Sequence, residues 1–507
     1  MPVGVWRRRA GAALALALLA SPASATWRRA ESPNFIVYSQ SAEPELRQEV
    51  ARLEDYNDFL RLLTGVGDPP PPTRLKVYIV RGRGALRTVR PALRSDVAGF
   101  YTAGEAGIAA FADEKVSLGG GDEVLFHEIA HHFMLQYRPT AYPPWYVEGF
   151  AEFVMTTKIK DEEIEFAQAS ANRVAWLTHA QWLTWDQVLF EPPPRSSADT
   201  ALYYAQSWLL VHYLLRDPAR KALLVAYLGA TARGEAPRTA YKRIFGKDTR
   251  ALDRDIRNYA ARQMTYSRLR RASAIKAPPI TVATLPPSAD DLLLLEAGLD
   301  TGARPEDALR IVERVRAAAA GKTDDYSRRV LAKAEALAGD GAAADRLLDP
   351  LLAAAPRDAE LLYLEGMRHL VAARRDPAVA ARERKLAQGW FAKAHGVDQD
   401  RFQTLVRYAE SLSGDPRFAS ENTANILLLA HKLAPQVSDI GMKAARILLI
   451  RGEFDEAERI LLPLASNPHQ PDLAAAALAM LQRARARQAL SPDEPEAAAP
   501  PAGSGSR

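Results

Sequence analysis

The first part of the chain alternates between short apolar runs and a longer stretch with apolar residues at helical spacing. Two runs, Asn34–Ser39 (NFIVYS) and Leu75–Val80 (LKVYIV), are dominated by aromatic and β-branched residues and predict strands. The stretch between them predicts an amphipathic helix, because its apolar side chains recur every three or four positions: Leu46, Val50, Leu53, Leu60 and Leu63. The proline run 69–72 ends the helical stretch, and the three elements together predict a β-α-β unit.

Two more short strands are predicted before the next pair of helices. Gly99–Tyr101 and Ile108–Phe111 flank a turn that contains glycine, and the chain then passes through Gly119–Gly121 into a helix. Pro143 and Pro144 end that helix, and a second helical run extends from Trp145 to Thr157. The pattern therefore predicts mixed strands and helices in a first domain that spans residues 26–270.

The second half has a different pattern. Residues 271–290 carry four prolines and predict an extended linker, after which helices rich in Ala and Leu continue to about residue 489. The segment from Ala445 to Pro468 resembles a tetratricopeptide repeat, and weaker copies begin at Gly302 and Gly339. We expect residues 291–489 to form a tetratricopeptide-like solenoid, with a generic all-α bundle as the alternative, and residues 490–507 to form a disordered tail.

Such a linker predicts that few contacts cross between the two domains. A chain that ends near Arg271 should then fold and bind metal by itself. In this interpretation the helical domain is a docking surface for a protein partner, separate from any chemistry in the first domain.

The N-terminus predicts a bacterial secretory signal peptide over residues 1–25. Three arginines, Arg7 to Arg9, precede an apolar stretch from Ala10 to Ala20, and Ala23 to Ala25 forms an AxA cleavage site. The apolar stretch is too short to span a bilayer, which takes about 20 residues, and no later segment without charges reaches that length. We therefore expect a periplasmic or secreted protein without a transmembrane segment.

Charge and cysteine content narrow the classes of function. The formal net charge of +5 falls to +2 without the three leader arginines, so the basic balance gives no support to nucleic-acid binding. The chain has no cysteine, which excludes disulfides and thiolate metal ligands and suits an oxidising compartment. Any metal site must therefore use nitrogen and oxygen ligands.

The run HEIAH, residues 127–131, is the strongest chemical signal in the chain. His127 and His131 lie four positions apart, so on a helix they project from one face and can hold one ion. Glu128 lies between them, where a carboxylate can take a proton from a zinc-bound water. Glu148, in the run WYVEGFAEFV, follows after a turn and returns a carboxylate along a second, antiparallel helix. Its spacing predicts the third ligand of a catalytic zinc site.

Together, HEIAH, the following tryptophan and the EGFAE segment resemble the gluzincin metallopeptidases, in particular bacterial peptidases with an MA-type domain. This resemblance implies an α+β zincin-like catalytic domain in which His127, His131 and Glu148 bind Zn²⁺ and Glu128 is the general base. In gluzincins the strand before the metal helix is an exposed sheet edge on which the substrate backbone pairs. Ile108–Phe111 resembles that edge, and an ordinary hairpin strand is the alternative.

Further residues near the motif have two interpretations each. Glu152 lies one turn beyond Glu148, and we expect it to accept a hydrogen bond from a ligand histidine, with direct coordination as the alternative. Tyr204, or its neighbour Tyr203, is a candidate donor to the oxyanion of the reaction, and packing at the start of an apolar helix is the alternative. His212 and His132 are expected to serve packing.

These patterns favour a zinc-dependent peptidase that hydrolyses peptide bonds of a peptide or protein substrate by attack of a zinc-bound water. Since no GxMEN-like strand is present and Glu105 in AGEAG is a poor substitute, we expect an endopeptidase rather than an aminopeptidase. Two alternatives remain: a catalytically silent zinc-binding scaffold whose repeats mediate protein interaction, and an interaction module with a purely structural metal site.

Overall fold

The structure is a computed structural model that describes residues 26–494 except 68, 70, 71, 95, 96, 115–122, 161, 195, 263, 271–277 and 415–418. The expected signal peptide, the glycines Gly119–Gly121 and most of the expected tail lie outside the described residues. Secretion and the periplasmic or secreted location therefore stay predictions. The described chain has an α+β architecture, as the sequence pattern predicts, with two small sheets and many helices.

The larger sheet has six strands in the order β4-β5-β3-β2-β1-β9. Strands β2 and β3 run parallel, with Phe35 opposite Leu75, and the helix between them crosses over one face, so the predicted β-α-β unit is confirmed. The smaller sheet has the order β6-β7-β8. The strands are β1 (Arg28–Glu31), β2 (Phe35–Ser39), β3 (Leu75–Val80), β4 (Gly99–Gly104), β5 (Gly107–Asp113), β6 (Lys158–Ile159), β7 (Glu163–Phe166), β8 (Ser267–Arg270) and β9 (Thr281–Thr284).

The expectation that Ile108–Phe111 forms the exposed edge of the sheet is wrong. These residues belong to β5, which pairs in parallel with β3 on one side and antiparallel with β4 on the other. Every residue of β5 is buried, and a continuous small and apolar run of this kind suits an interior strand. The edge of the sheet is β4 instead.

Ten described helices accompany the strands up to residue 260. They are α1 (Glu43–Thr64), α2 (Arg83–Val89), α3 (Glu123–Tyr137), α4 (Pro144–Met155), α5 (Ala171–His179), α6 (Trp185–Phe190), α7 (Ser197–Leu215), α8 (Pro218–Ala232), α9 (Pro237–Phe245) and α10 (Thr249–Ala260). We call residues 26–284, with both sheets, the sheet region. At its centre, α4 packs against both α3 and α7, and α3 contacts strands β4 and β5 of the larger sheet.

Eleven described helices follow and form what we call the helical region, residues 289–485. They are α11 (Ala289–Asp300), α12 (Pro305–Ala319), α13 (Asp325–Leu337), α14 (Gly341–Ala354), α15 (Ala359–Arg375), α16 (Ala380–Val397), α17 (Phe402–Ser411), α18 (Glu421–Leu433), α19 (Ser438–Arg451), α20 (Phe454–Leu464) and α21 (Pro471–Arg485). Each helix packs against the next, and several also contact the next but one. This order suits a solenoid, while its assignment to tetratricopeptide repeats stays a prediction.

None of the helices in the described part of the chain combines the length and the apolar character that crossing a membrane would require.

The expectation that few contacts join the two regions is wrong. Strand β9 lies inside the predicted linker and pairs antiparallel with β1, so this segment completes the larger sheet. The main apolar core of the sheet region also includes six large side chains of the helical region: Phe402, Leu405, Val406, Leu433, Val437 and Ile440. The exact limits of the predicted domains stay predictions, but the two regions share a core.

Partly buried ion pairs add to this contact. Lys76 on β3 binds Asp300 at the end of α11 with an Nζ–Oδ2 distance of 2.8 Å, and Asp300 also binds Lys333 on α13 at 3.1 Å. At the turn between β4 and β5, the Glu105 carboxylate binds Arg407 at 2.9 Å and Lys443 at 2.6 Å. The pairs of Lys76 with Asp300 and of Glu105 with Arg407 and Lys443 join one region to the other, while Lys333 contacts Asp300 from within the helical region.

Candidate metal centre

Helix α3 carries the two histidines and is fixed by aromatic packing. Phe126 stacks on Tyr56 of α1 with ring centroids 3.9 Å apart, and the Tyr56 hydroxyl donates a hydrogen bond to the Phe126 carbonyl at 3.1 Å. Since Phe126 directly precedes His127, this contact sets the rotation of the helix where the candidate ligands begin. His127 and His131 then project from the same face, as the four-residue spacing predicts.

Helix α4 brings Glu148 to the two histidines, and Gly149 lets it approach closely. A Cβ atom at Gly149 would lie 2.4 Å from the Ser207 carbonyl oxygen and 2.7 Å from a Val211 methyl group on α7. Only glycine fits this helix crossing without a shift of backbone. Close packing of α4 on α7 therefore requires glycine at position 149. Glu148 beside it is held in the interior, with 2% of its surface exposed.

Three ligand atoms form a compact triangle. The Nε2 atoms of His127 and His131 are 3.0 Å apart, and each lies 3.5 Å from Oε2 of Glu148. That oxygen is buried and has no hydrogen-bond partner among the described residues. Two imidazole nitrogens that face each other and a buried carboxylate oxygen without a partner are suited to share one cation. His127, His131 and Glu148 thus form a group that could hold a metal ion.

Glu152 occupies the far side of His127. Its Oε1 lies 3.4 Å from His127 Nδ1, and both carboxylate oxygens bind the Arg173 guanidinium at 2.6 Å. Burial tends to lower the pKa of His127, but the Glu148, Glu152 and Glu128 carboxylates outweigh it and raise the pKa to about 9. The surroundings therefore favour positive charge at this imidazole. The geometry suits a hydrogen-bond acceptor for a ligand histidine, and that role of Glu152 stays a prediction.

Glu128 faces a cleft rather than the three ligands. The cleft has a volume of about 370 Å³ and lies between Glu128 and His131 on α3, the edge strand β4 and the helical region. Burial raises the pKa of the Glu128 carboxyl, while His127 and His131 oppose that shift. The side chain is thus next to the metal group and open to whatever enters the cleft.

The structure separates the two candidate tyrosines. Tyr204 on α7 has its ring centroid 6.2 Å from that of His127, and Arg173 lies over its ring at 5.8 Å. The Tyr203 side chain is fully buried, and its hydroxyl has no hydrogen-bond partner within the described chain. Glu148 and burial raise the pKa of Tyr204 well above its ordinary value, so its hydroxyl keeps its proton. Tyr204 is the one beside the ligands, and its catalytic role stays a prediction.

Two histidines assigned to packing are indeed in the interior. His212 is 1% exposed and shares a hydrogen bond of 2.6 Å with the Tyr259 hydroxyl, and burial lowers its pKa to about 4. His132 is buried outside the cluster, with Nδ1 at 3.1 Å from the Tyr101 hydroxyl of β4. Both predictions are confirmed.

Two residues of the helical region reach the site, and the sequence analysis missed both. His469, in the loop between α20 and α21, has Nε2 only 3.2 Å from Oε1 of Glu148. Gln436, just before α19, lines the cleft, and both polar atoms of its buried amide are without partners in the described part of the chain. Neither residue belongs to a motif, and the paired prolines around His469 (NPHQP) are the only local sign of a constrained loop.

The assembled group has two imidazoles, one carboxylate ligand and a second carboxylate on a cleft. No protein-family model, no curated protein and no solved structure matches this chain. The assignment of function therefore depends on the residues themselves and on the chemistry that their arrangement permits.

Proposed function

We propose that this protein is a zinc-dependent peptidase, with a zincin-like sheet region and a tetratricopeptide-like helical region. The observation that supports this most directly is the triangle of His127, His131 and Glu148 beside a cleft that Glu128 faces. Two histidines and one glutamate leave a fourth position for water, as in catalytic rather than structural zinc sites.

The size of the triangle supports zinc as the metal. Zinc binds imidazole nitrogen and carboxylate oxygen at about 2.0 to 2.2 Å in a tetrahedron, whose corners are then about 3.3 to 3.6 Å apart. The observed separations of 3.0, 3.5 and 3.5 Å between the three ligand atoms are close to these edges. Only small side-chain adjustments are needed for the ion to fit.

When bound, the ion supplies Lewis acidity, which polarises a carbonyl group and makes a water molecule acidic. Glu128 would accept the proton of the attacking water and deliver it to the leaving amine of the cleaved peptide. The Tyr204 hydroxyl, which stays protonated, can donate a hydrogen bond to the oxyanion that develops from the carbonyl. Glu152 and Arg173 keep the His127 ring in place through the contact at Nδ1.

The cleft suits an extended polypeptide. Residues 101–104 of the edge strand β4 line one wall, where backbone groups can pair with a substrate strand. Gln436 lines the opposite side, and its amide offers a donor and an acceptor that match a peptide group. An unpaired buried amide is costly in the free protein, so a role in binding explains why it lies here.

The surroundings of Glu105 favour endopeptidase activity. Burial would raise the pKa of this carboxyl, but Arg407 and Lys443 hold it below its ordinary value. A carboxylate already paired with two cations is a poor site for the free amine of a peptide N-terminus. This agrees with our preference for cleavage within a chain.

The ligands can be tested by elemental analysis after dialysis. We expect His127→Ala, His131→Ala and Glu148→Ala each to remove bound zinc, and Glu152→Ala to retain most of it, because Glu152 contacts a ligand rather than the ion. Loss of zinc in Glu152→Ala with retention in Glu148→Ala would reverse the assignment of the third ligand.

The base can be tested by cleavage of a denatured protein substrate. Glu128→Gln keeps the shape of the side chain but cannot hold a proton, so we expect normal zinc content and hydrolysis lower by about 10² to 10⁴. The control is Glu191→Gln, the same change at an exposed position. Wild-type protein that binds zinc but cleaves no peptide or protein would instead favour the silent scaffold.

A further inference from the structure

His469 reaches the candidate metal centre from a distant part of the chain. It lies in the loop between α20 and α21, more than 300 residues after Glu148. Its Nε2 atom is 3.2 Å from Oε1 of Glu148, and its ring centroid is 4.8 Å from that of His131. It also lines the same cleft as Glu128. The helical region thus contacts a candidate ligand directly.

The loop holds His469 in this position before any ion binds. The His469 backbone N–H donates to Oδ1 of Asn467 at 3.0 Å, and the Asn467 amide in turn donates to the Ser438 hydroxyl at the start of α19 at 3.3 Å. Pro468 precedes the histidine, and Pro471 begins α21, so both flanks have restricted backbone angles. The imidazole is therefore placed by the fold of the helical region.

The two oxygens of Glu148 have different neighbours. Oε2 faces the two ligand histidines at 3.5 Å, while Oε1 faces His469 at 3.2 Å. His469 Nε2 is buried and makes no aligned hydrogen bond among the described residues, and Oε1 of Glu148, at 3.2 Å, is an acceptor within its reach. A carboxylate ligand whose second oxygen accepts a hydrogen bond is fixed in orientation and binds its ion through one oxygen only. The division of contacts at Glu148 matches that arrangement.

We propose that His469 is a positioning residue for the metal centre, which donates an Nε2–H hydrogen bond to Oε1 of Glu148 and keeps Oε2 directed at the ion. The helical region thereby completes the metal site in addition to forming one wall of the cleft. This inference rests on the metal-binding part of the proposed function and is independent of hydrolysis.

The test compares variants of the full chain by zinc affinity, measured in competition with a chelator. We expect His469→Ala to weaken zinc binding about 10- to 100-fold, the usual cost of losing a partner of a metal ligand. His469→Gln keeps an N–H donor and should restore most of that affinity. In the cobalt-substituted protein, His469→Ala should change the visible spectrum, because a released Glu148 can bind through both oxygens.

The control is His431→Ala, the same change in a histidine of the helical region that lines a neighbouring cavity and makes no contact with Glu148 in the described structure. It reports the effect of lost packing alone and should leave zinc affinity unchanged. Melting temperatures of all three variants identify any that unfold.

Three results would overturn the proposal. If His469→Ala and His469→Gln both lose as much zinc affinity as His131→Ala does, His469 is itself a ligand of the ion. Wild-type affinity in His469→Ala would leave it without a role at the metal. If the wild-type chain binds no zinc, both this proposal and the proposed function are wrong. If zinc binding depends on His469 but no substrate is hydrolysed, only the proposed peptidase activity is wrong.

Discussion

The sheet region and the helical region contribute to the candidate site in different ways. In the sheet region, His127, Glu128 and His131 lie within five consecutive residues of one helix, and Glu148 follows on the next helix. In the helical region, Gln436 and His469 come from separate loops and meet the site only in the folded chain. The chemistry is thus encoded locally, while the walls of the cleft and the contact to Glu148 depend on long-range packing.

The contact between the regions also differs from place to place. Around Ile440 and Phe402 it is apolar and continuous with the main core. Around Glu105 and Asp300 it consists of partly buried ion pairs. Apolar burial supplies most of the binding energy, whereas buried charges fix the geometry and tolerate few changes. The following predictions separate these contributions, from the largest expected effect to the smallest.

Removal of the helical region should unfold the sheet region. A chain of residues 26–270 lacks β9 and the six large apolar side chains that the helical region adds to the main core. At about 2 kcal/mol for each buried side chain, their loss approaches the whole stability of about 5 to 15 kcal/mol of an ordinary domain. Circular dichroism during thermal unfolding should show no cooperative transition. A chain of residues 26–494 is the control, and a soluble, cooperatively folded 26–270 fragment would contradict this view.

Removal of one partner of a partly buried ion pair should lower the free energy of unfolding less than truncation does, but more than a substitution at an exposed position does. Arg407 is 13% exposed and binds both Glu105 and Glu410, so Arg407→Ala removes one cation from two partly buried carboxylates, which keep Lys443 and Arg374 as partners. We expect a loss of about 2 to 3 kcal/mol in the free energy of unfolding, as for lost hydrogen bonds to charged groups.

Arg374→Ala is the matched control, because Arg374 binds the same Glu410 but is 46% exposed. It should cost at most about 1 kcal/mol. Denaturant unfolding of both variants measures the difference. Equal losses in the free energy of unfolding would show that the pair of Arg407 with Glu105 does not stabilise the contact between the regions.

The same glycine substitution should have opposite effects in the two regions. Gly149→Ala places a methyl group against the Ser207 carbonyl and should destabilise the protein by about 1 to 3 kcal/mol, with a shift of Glu148 that also weakens zinc binding. Gly389 is exposed within α16, and a Cβ there meets no atom within 4 Å. Gly389→Ala should therefore stabilise the protein by about 0.5 to 1 kcal/mol. Stabilisation by both changes would mean that α4 and α7 can separate at little cost.

Substitution of Gln436 should improve stability and impair substrate binding. Gln436→Leu removes a buried amide that has no partners among the described residues, so we expect about 1 kcal/mol of added stability. The loss of a contact to the substrate should raise KM about tenfold without a change in kcat.

The control for this pair of effects is Gln403→Leu. Gln403 donates a hydrogen bond to the Ala106 carbonyl at 3.3 Å, so its replacement should lower stability slightly and leave KM unchanged. If Gln436→Leu left KM at the wild-type value, Gln436 would have no part in peptide recognition.

The local elements were predictable from the sequence because their signals are local. Leu75–Val80 forms β3 with the predicted bounds, and the spacing of Leu46, Val50 and Leu53 identifies α1. The grouping of His127, His131 and Glu148 also follows from spacing along two neighbouring helices. In each case the partners lie within about one or two turns or a short loop.

What could not be predicted depends on distant partners. Strand β1 (RRAE) has little apolar alternation and forms between β2 and β9, and β9 (TVAT) is short, mostly exposed and pairs with β1. The order of strands in the sheet is likewise invisible in the sequence, although the continuous apolar run of β5 was a sign of an interior position. His469 has no local signal that connects it with Glu148.

The pairing of β1 with β9 has a consequence for the time course of folding. Arg28 lies opposite Thr284, so the larger sheet cannot be completed until more than 250 further residues have been synthesised. Closing so long a loop adds only modestly to the entropic cost, but contacts of this range slow folding considerably. A nascent chain will therefore expose an incomplete sheet for much of its synthesis, and helices α3 and α4, which carry the candidate site, will reach their final positions late. Chaperone assistance should matter more for this protein than for one whose sheet is built from neighbouring segments.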